Sequence, residues 1–208
     1  MIRNIIFDIG NVLAAWSWRE YFEGFHFSQE VTERLARATV LSPLWEEVDR
    51  GKMDEDMLLA GFIANDPGLE KEIRKAWDNM HDMLERYDYA VPWLRELKGR
   101  GYKVYYLSNF SRKVRRECAH VLDFLPLMDG GVFSYEEKLI KPDPAIYRLL
   151  LERYGLQAGE CVFLDDTPRN VEEALRQGMA GIVFCGREQA VEELGKLGVD
   201  AWSVSKLP

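Results

Sequence analysis

Hydrophobic residues in the last two thirds of the chain fall into short apolar runs separated by amphipathic stretches. These runs, together with one near the N-terminus, predict strands at residues 4–8, 102–109, 130–135, 161–166 and 180–185. The amphipathic stretches predict helices at residues 112–122, 143–155, 168–178 and 187–198. Pro144 in a first turn and Gly155 after a last turn are typical helix ends. Near-continuous apolar strands alternating with helices predict an α/β fold, with a parallel sheet covered by helices on both faces.

Residues 15–89 show a different pattern, because helical periodicity dominates there and no strand is predicted. The helix-like stretches are residues 29–40, 54–64 and 69–84. We therefore predict an α/β core formed by residues 1–14 and 90–208, with a small helical cap, residues 15–89, inserted after the first strand. A chain of 208 residues is long enough for one sizeable domain that carries such an insertion.

The charge balance of the chain is acidic. The 27 Lys and Arg residues and the 35 Asp and Glu residues give a formal net charge of −8. This argues against nucleic acid or an anionic membrane as the partner, while a small anionic ligand can still bind in a local electropositive pocket. No run approaches the roughly 18 apolar residues that span a bilayer. Asp8 interrupts the first apolar run, so no secretory signal is predicted either.

The cysteines indicate neither a metal site nor a disulfide framework. Cys118, Cys161 and Cys185 are odd in number, widely separated and free of any C-x-x-C pair. We therefore expect free thiols in a cytoplasmic protein.

Polar residues that can carry chemistry follow three of the predicted strands or precede a helix. They are Asp8, Ser108, Asn109, Lys141, Asp165 and Asp166. Each has an ordinary structural explanation when taken alone, such as a helix cap, a turn or a surface charge. In an open α/β sheet, however, ligands bind beyond the carboxyl ends of the strands. Pro142 also favours an extended Lys141, whose side chain then stays out of the following helix. Their shared placement predicts one site.

Four short segments in this order resemble the motifs of the haloacid dehalogenase superfamily, which consists mostly of phosphatases. They are FDIGNVL (7–13), YLSN (106–109), IKPDP (140–144) and VFLDD (162–166). The DIGNV and LSN variants further resemble a bacterial branch of sugar-phosphate phosphatases that includes the α-D-glucose-1-phosphate phosphatases. The resemblance implies a Rossmann-like core, a small cap and a hydrolase acting on a small phosphorylated metabolite, as a monomer or weak homodimer.

The resemblance also implies a Mg²⁺-dependent phosphatase that works through an aspartyl-phosphate. Asp8 is then the nucleophile, which splits one difficult hydrolysis into two steps. Asp8, Asp166 and the backbone carbonyl of Gly10 supply hard oxygen ligands to Mg²⁺. Asp165 is a further ligand or orients a metal-bound water.

The remaining motif residues are implied to bind the phosphoryl group. Lys141 offsets the charge on nucleophile and phosphate, and Ser108 with the Asn109 amide hydrogen-bonds the phosphoryl oxygens. Asn170 matches a position that supports the loop on the metal side.

Gly10 departs from the family pattern, in which most phosphatases carry a second Asp that protonates the leaving alcohol. A glycine keeps its carbonyl for the metal but cannot transfer a proton. General acid–base help is worth roughly 10²- to 10⁴-fold, so slow turnover or a preference for good leaving groups is predicted, as in an ester of the glucose 1-phosphate type. A cap residue, either His81 or a carboxylate of the cap, or a metal-bound water is the open substitute. The glycine is also a candidate for a positive φ in this turn.

Three other functions stay open at this point. Family dehalogenases share the Asp nucleophile but lack the full set of metal ligands. The paired Asp165 and Asp166 therefore argue against a dehalogenase here. A phosphonatase needs a cap lysine, for which Lys52 and Lys71 are the candidates. A phosphate-binding regulatory module with little turnover is the third.

The tryptophans concentrate in or beside the predicted cap. They are Trp16, Trp18, Trp45 and Trp77. Packing inside a small helical bundle is the favoured interpretation, and an aromatic face that packs on a sugar ring is the alternative.

Overall fold

The computed structural model describes residues 1–199, and within that range the chain forms seven strands and eleven α-helices. The strands are β1 (Asn4–Phe7), β2 (Ala14–Trp16), β3 (Leu84–Arg86), β4 (Lys103–Ser108), β5 (Gly130–Phe133), β6 (Cys161–Asp165) and β7 (Ala180–Val183). The helices are α1 (Trp18–Glu23), α2 (Gln29–Ala38), α3 (Trp45–Arg50), α4 (Glu55–Asn65), α5 (Glu70–Trp77), α6 (Ala90–Gly99), α7 (Arg112–Glu117), α8 (Ser134–Glu137), α9 (Pro144–Tyr154), α10 (Pro168–Arg176) and α11 (Arg187–Lys196).

Five of the strands form one parallel sheet in the order β5-β4-β1-β6-β7. β1 is central, with Ile5 in register with Val104 of β4 and Val162 of β6. The central strands are buried on both faces, which is why their sequences are continuously apolar instead of alternating. The predicted α/β fold with a parallel sheet between helices is confirmed.

Each face of the sheet packs against its own helices. Because side chains alternate along a strand, Ile5 and Phe7 of β1 join a hydrophobic cluster with residues of α6 and α11. Ile6 points the other way and joins a second cluster with residues of α9 and α10. The two clusters fix the sheet rigidly, so the carboxyl ends of β1, β4 and β6 are held at one edge.

The excursion between β2 and β3, residues 17–83, contains α1 to α5 and is called the insertion below. Its helices pack around large buried side chains such as Phe22, Phe62 and Trp77. β2 and β3 pair in antiparallel fashion at its base, with Trp16 opposite Leu84.

This pair of strands corrects the prediction that residues 15–89 contain helices alone. Strands of three residues are too short to show alternation, and their partners lie about seventy positions apart. The predicted helix 69–84 is also wrong in its second half, because α5 ends at Trp77 and a 3₁₀ turn and β3 follow. The main-chain N–H of Met80 donates to Glu117 of α7 at 3.0 Å, a tertiary contact that local periodicity cannot report.

The division of the chain into core and cap stays a prediction, and residues 200–208 of the predicted core lie outside the described range. Among residues 1–199, none of the helices combines the length and the apolar character needed to cross a membrane. Cys118 and Cys161 are buried free thiols and Cys185 is an exposed one.

Candidate active site

Asp8 directly follows β1, at the middle of the sheet edge. Its main-chain N–H donates to the carbonyl of Leu164 in β6 at 2.8 Å, so the sheet still fixes the backbone where the strand ends. The carboxylate Oδ1 accepts from the N–H of Ile9 at 2.8 Å and lies 2.9 Å from Lys141 Nζ. Only 8% of the residue is exposed, and it lines the cavity described below, so these contacts hold the carboxylate in one orientation.

Lys141 is a fully buried cation between two carboxylates. Its Nζ lies 2.9 Å from Asp8 Oδ1 and 2.6 Å from Asp165 Oδ2. Burial lowers the pKa of Lys141, but the charges of Asp165 and Asp8 outweigh that effect and the net pKa is raised. The lysine is therefore a permanent positive charge beside Asp8.

The side chain of Asn109 fixes the main chain of Lys141. Asn109 Oδ1 accepts from the Lys141 N–H at 2.7 Å, and Asn109 Nδ2 donates to the Lys141 carbonyl at 3.1 Å. This reciprocal pair joins the end of β4 to the turn before α9. The side-chain amide is thereby committed to Lys141, so a contact of Asn109 with phosphate would come from its main chain.

Asp165 ends β6 with no exposed surface. Its Oδ1 accepts from the Thr167 N–H at 2.8 Å, and both its oxygens accept from Asn170 Nδ2 at 3.1 Å. With Lys141 added, each oxygen has at least two partners. The structure therefore places Asn170 against Asp165 and Asp165 against Lys141, and the role of Asn170 in supporting the metal side stays a prediction.

Asp166 is half-buried at the same edge. Its Oδ2 accepts from Asn11 Nδ2 at 2.9 Å. This contact joins the loop after β6 to the turn after β1, and the sequence did not predict it. Carboxylate oxygens of Asp8, Asp165 and Asp166 all lie within 4.8 Å of one another. Three hard oxygen donors at that spacing fit Mg²⁺, which prefers carboxylate and carbonyl oxygens.

Gly10 lies beside Asp8, and its backbone is not in the left-handed region. The suggestion that this glycine serves a positive φ is therefore wrong. The next residue, Asn11, carries that conformation with φ 56°. A Cβ added at Gly10 would meet nothing within 4 Å, so the glycine leaves open space next to Asp8.

Ser108 closes β4 and is 1% exposed. Within residues 1–199 its hydroxyl has no hydrogen-bond partner at full bonding geometry, yet it is near enough to Asp8 to favour the charged carboxylate. A buried hydroxyl with unused donor capacity beside the nucleophile is suited to a substrate oxygen.

The pKa of Asp8 is raised to about 7. Burial is the largest cause, Lys141 opposes it, and Asp165 raises it further. A divalent cation at this edge would favour the charged form of the carboxylate.

A cavity of about 220 Å³ opens in front of Asp8 and extends towards the insertion. Trp16 and Trp45 line it, with ring centroids 5.5 Å apart. Trp77 is buried within the insertion and belongs to its hydrophobic core. Packing inside the insertion is thus confirmed for Trp77, while Trp16 and Trp45 line the cavity and their packing on a sugar ring stays a prediction.

Other candidates from the sequence lie elsewhere. His81 is exposed, contacts Asp82 and stacks on His120 with centroids 4.7 Å apart, and it is not among the described residues that line the cavity. Lys52 and Lys71 are exposed and are likewise absent from the lining. Within residues 1–199, neither of these two lysines is therefore in place for a phosphonatase reaction.

Asp49 lines the cavity as well, and sequence reasoning missed it. It belongs to α3 of the insertion and meets the core only through tertiary packing. The acidic stretch from Glu46 to Asp49 reads as a solvated helix face, so no local signal separates this carboxylate from its neighbours.

Two known phosphatases are similar to this chain over most of its length. The chain is 29% identical over 179 residues to the sesquiterpene phosphatase astK of Aspergillus oryzae, covering 85% of this chain and 87% of that one. It is 29% identical over 223 aligned positions to the phosphatase MT3486 of Mycobacterium tuberculosis, covering 95% of each.

A solved structure shares the fold. The family enzyme bt-2542 of Bacteroides thetaiotaomicron, in complex with magnesium and inorganic phosphate, superposes with a TM-score of 0.70 at 23% identity, over 90% of this chain and 96% of that one. The family model of haloacid dehalogenase-like hydrolases matches residues 2–178. This chain is thus a member of the haloacid dehalogenase-like hydrolase family.

Proposed function

We propose that this hydrolase is a Mg²⁺-dependent phosphatase that cleaves a small phosphomonoester through an aspartyl-phosphate on Asp8. One observation carries the proposal: carboxylate oxygens of Asp8, Asp165 and Asp166 lie within 4.8 Å of one another, and the buried cation of Lys141 contacts the first two. Asp8 and Asp166 also line the cavity. Phosphoryl transfer needs a nucleophile, charge neutralisation and in-line positioning, and this edge supplies side chains for each.

Asp8 attacks phosphorus and the ester oxygen leaves. Lys141 Nζ and the N–H of Ile9 both engage Oδ1, so we expect Oδ2 to be the attacking atom. The carboxylate is already oriented by these contacts, which reduces the entropy lost on reaching the transition state. Water then attacks the aspartyl-phosphate and frees the carboxylate for the next cycle.

Asp8, Asp166 and the Gly10 carbonyl are the proposed metal ligands, with Asp165 as a further ligand or as the group that orients a bound water. When bound, Mg²⁺ supplies the positive charge that lets a carboxylate approach an anionic phosphate. Asn11 donates to Asp166 and limits the rotation of that carboxylate. Asn170 does the same for Asp165.

Ser108, the main chain of Asn109 and Lys141 are the proposed phosphate-binding groups. The buried Ser108 hydroxyl has donor capacity to spare, and Lys141 is a charged donor, which makes the stronger kind of hydrogen bond to an anionic oxygen.

The substrate class is a finer proposal. Trp16 and Trp45 give the cavity an aromatic wall beside its acidic floor, which suits a phosphorylated metabolite with a flat or weakly polar face, such as a sugar. The relatives named as phosphatases support phosphate ester chemistry for this chain. A location in the cytoplasm and a monomer or weak homodimer remain predictions.

Hydrolysis of p-nitrophenyl phosphate tests the function. The native protein should release nitrophenol in Mg²⁺, stop in excess EDTA and recover when Mg²⁺ is restored. Asp8→Asn should be inactive while Asp88→Asn, which removes an exposed carboxylate, should match the native protein.

Absence of turnover by the native protein in Mg²⁺ would show that phosphate ester hydrolysis is the wrong activity. Substantial turnover by Asp8→Asn would show that the covalent step is wrong. A panel of phosphorylated metabolites, with released phosphate measured, then identifies the substrate class.

A further inference from the structure

Asp49 brings a carboxyl group from the insertion to the cavity in front of Asp8. It lies in the last turn of α3 and is half-buried. Among the described residues that line the cavity, the insertion contributes Trp45 and Asp49, and Asp49 is the acidic one. Its carboxyl group makes no hydrogen bond or salt bridge with the described residues, so it is available to a ligand.

The main chain around Asp49 is fastened to the core. The buried hydroxyl of Ser134 donates to the Asp49 carbonyl at 2.6 Å, and Ser134 Oγ accepts from the Phe110 N–H at 2.8 Å. Lys138 Nζ donates to the carbonyl of Gly51 at 2.5 Å. These bonds join the end of α3 to α8 and to the loop after β4. Asp49 is therefore positioned by the same core that positions Asp8.

The surroundings of Asp49 favour its neutral form. Burial is the largest cause of a pKa of about 7, and Asp8 and Glu46 raise it further while Lys141 lowers it. A carboxylic acid with a pKa near neutrality is an effective proton donor, because both of its protonation states are populated at the pH of the reaction.

Gly10 leaves the usual position of the proton donor without a side chain. The space there is open, since an added Cβ would meet nothing within 4 Å. Asp8 and Gly10 on the sheet edge and Asp49 on the insertion line the same cavity, so a leaving group held in it can contact both sides. We infer that Asp49 donates the proton to the leaving oxygen, in place of the acid that Gly10 lacks; this inference rests on the phosphatase function proposed above.

The two half-reactions balance in protons and electron pairs. In the first, an Asp8 oxygen bonds to phosphorus, the ester P–O bond breaks, and its electron pair goes to the leaving oxygen, which takes the proton of Asp49. In the second, the Asp49 carboxylate takes a proton from water as the water oxygen bonds to phosphorus. The bond between Asp8 and phosphorus breaks, and Asp49 is protonated again.

The choice of leaving group distinguishes a proton-donating role of Asp49 from a purely structural one. Alkyl alcohols need a proton to leave, whereas p-nitrophenol does not. With Asp49 as donor, the native enzyme should turn over glycerol phosphate and p-nitrophenyl phosphate with comparable kcat, in contrast to the preference for good leaving groups expected from Gly10 alone. Asp49→Asn should lower kcat for glycerol phosphate roughly 10²-fold or more, and for p-nitrophenyl phosphate by less than roughly 10-fold.

Glu47→Gln is the matched control, because Glu47 lies on the same helix, pairs with Arg50 and is absent from the cavity lining. It should leave both values of kcat unchanged. Should Asp49→Asn fail to fold, the same change in the ratio is expected from Asp49→Ala.

An unchanged ratio of the two kcat values in the Asp49 variants, whether both fall or neither does, overturns the role of Asp49 and leaves the phosphatase function intact. A native protein that hydrolyses neither ester in Mg²⁺ overturns the phosphatase function, and the inference falls with it.

Discussion

Replacing Lys141 by Met removes the cation that separates two buried carboxylates. Its Nζ lies 2.9 Å from Asp8 and 2.6 Å from Asp165, and the lysine is 1% exposed. Methionine has similar length and no charge, so the volume is kept while the pairing is lost. Asp8 and Asp165 then face each other across an apolar side chain.

The expected loss of stability is about 3 kcal/mol. Removing one partner of a buried ion pair typically costs about 3–5 kcal/mol, because an uncompensated charge stays behind. The lower end of that range applies here, because Asp8 can take up a proton and become neutral. For a chain of this size a loss of about 3 kcal/mol lowers Tm by about 6–12 °C.

Urea unfolding in EDTA, followed by circular dichroism, measures this loss without a bound cation. Lys196→Met is the control, because Lys196 is exposed on α11 and its ion pairs are with exposed residues. It should unfold at the native midpoint. The double variant Lys141→Met/Asp165→Asn should recover part of the loss, since a neutral amide replaces one of the stranded charges.

A free energy of unfolding for Lys141→Met within about 1 kcal/mol of native would refute this reasoning. It would mean that the attraction between Lys141 and its two carboxylates only offsets the cost of burying them. The lysine would then be present for chemistry alone.

Three further outcomes are expected. Asp166→Ala should raise the Mg²⁺ concentration for half-maximal activity at least about 10-fold, and the same Mg²⁺ dependence in variant and native protein would remove Asp166 from the metal site. Ca²⁺ should be a poor substitute in the native protein, because it takes more ligands at longer distances. Ellman's reagent at pH 8 should titrate one thiol per native chain, Cys185, and three in urea, because burial raises the pKa of both Cys118 and Cys161 to about 11; three fast thiols in the native protein would contradict their burial. Burial also raises the pKa of Asp49 from 3.8 to about 7, so the folded state binds this proton more tightly and stability should fall as pH rises between those values. In EDTA, Asp49→Asn should lose that part of the pH dependence of the urea midpoint, and a pH profile equal to the native one would contradict the shift.

The sheet edge could be predicted because its residues are adjacent in sequence to strands with a strong signal. Asp8, Ser108 and Asp165 each end an apolar run, and parallel strands bring such ends together whatever the loops do. Lys141 was found through Pro142 and the helix that follows.

The insertion was predicted less well, because its features depend on contacts between distant residues. β2 and β3 exist only as a pair, and Trp16 and Leu84 are far apart in sequence. Asp49 reaches the cavity because Ser134 and Lys138 of the core hold the end of α3. Neither contact leaves a periodic pattern, so no local pattern could have found them.

The pairing of β2 with β3 also makes the insertion replaceable. The chain enters the insertion from β2 and leaves it into β3, and these two adjacent strands lie about 4.8 Å apart. Any segment whose ends meet at that spacing can be joined there without moving β1 or β4. Because the entropy of loop closure rises only slowly with length, even a much larger segment fits. Recombination at this one place in a gene would exchange Trp45 and Asp49 together, giving a descendant with new cavity walls and an inherited nucleophile.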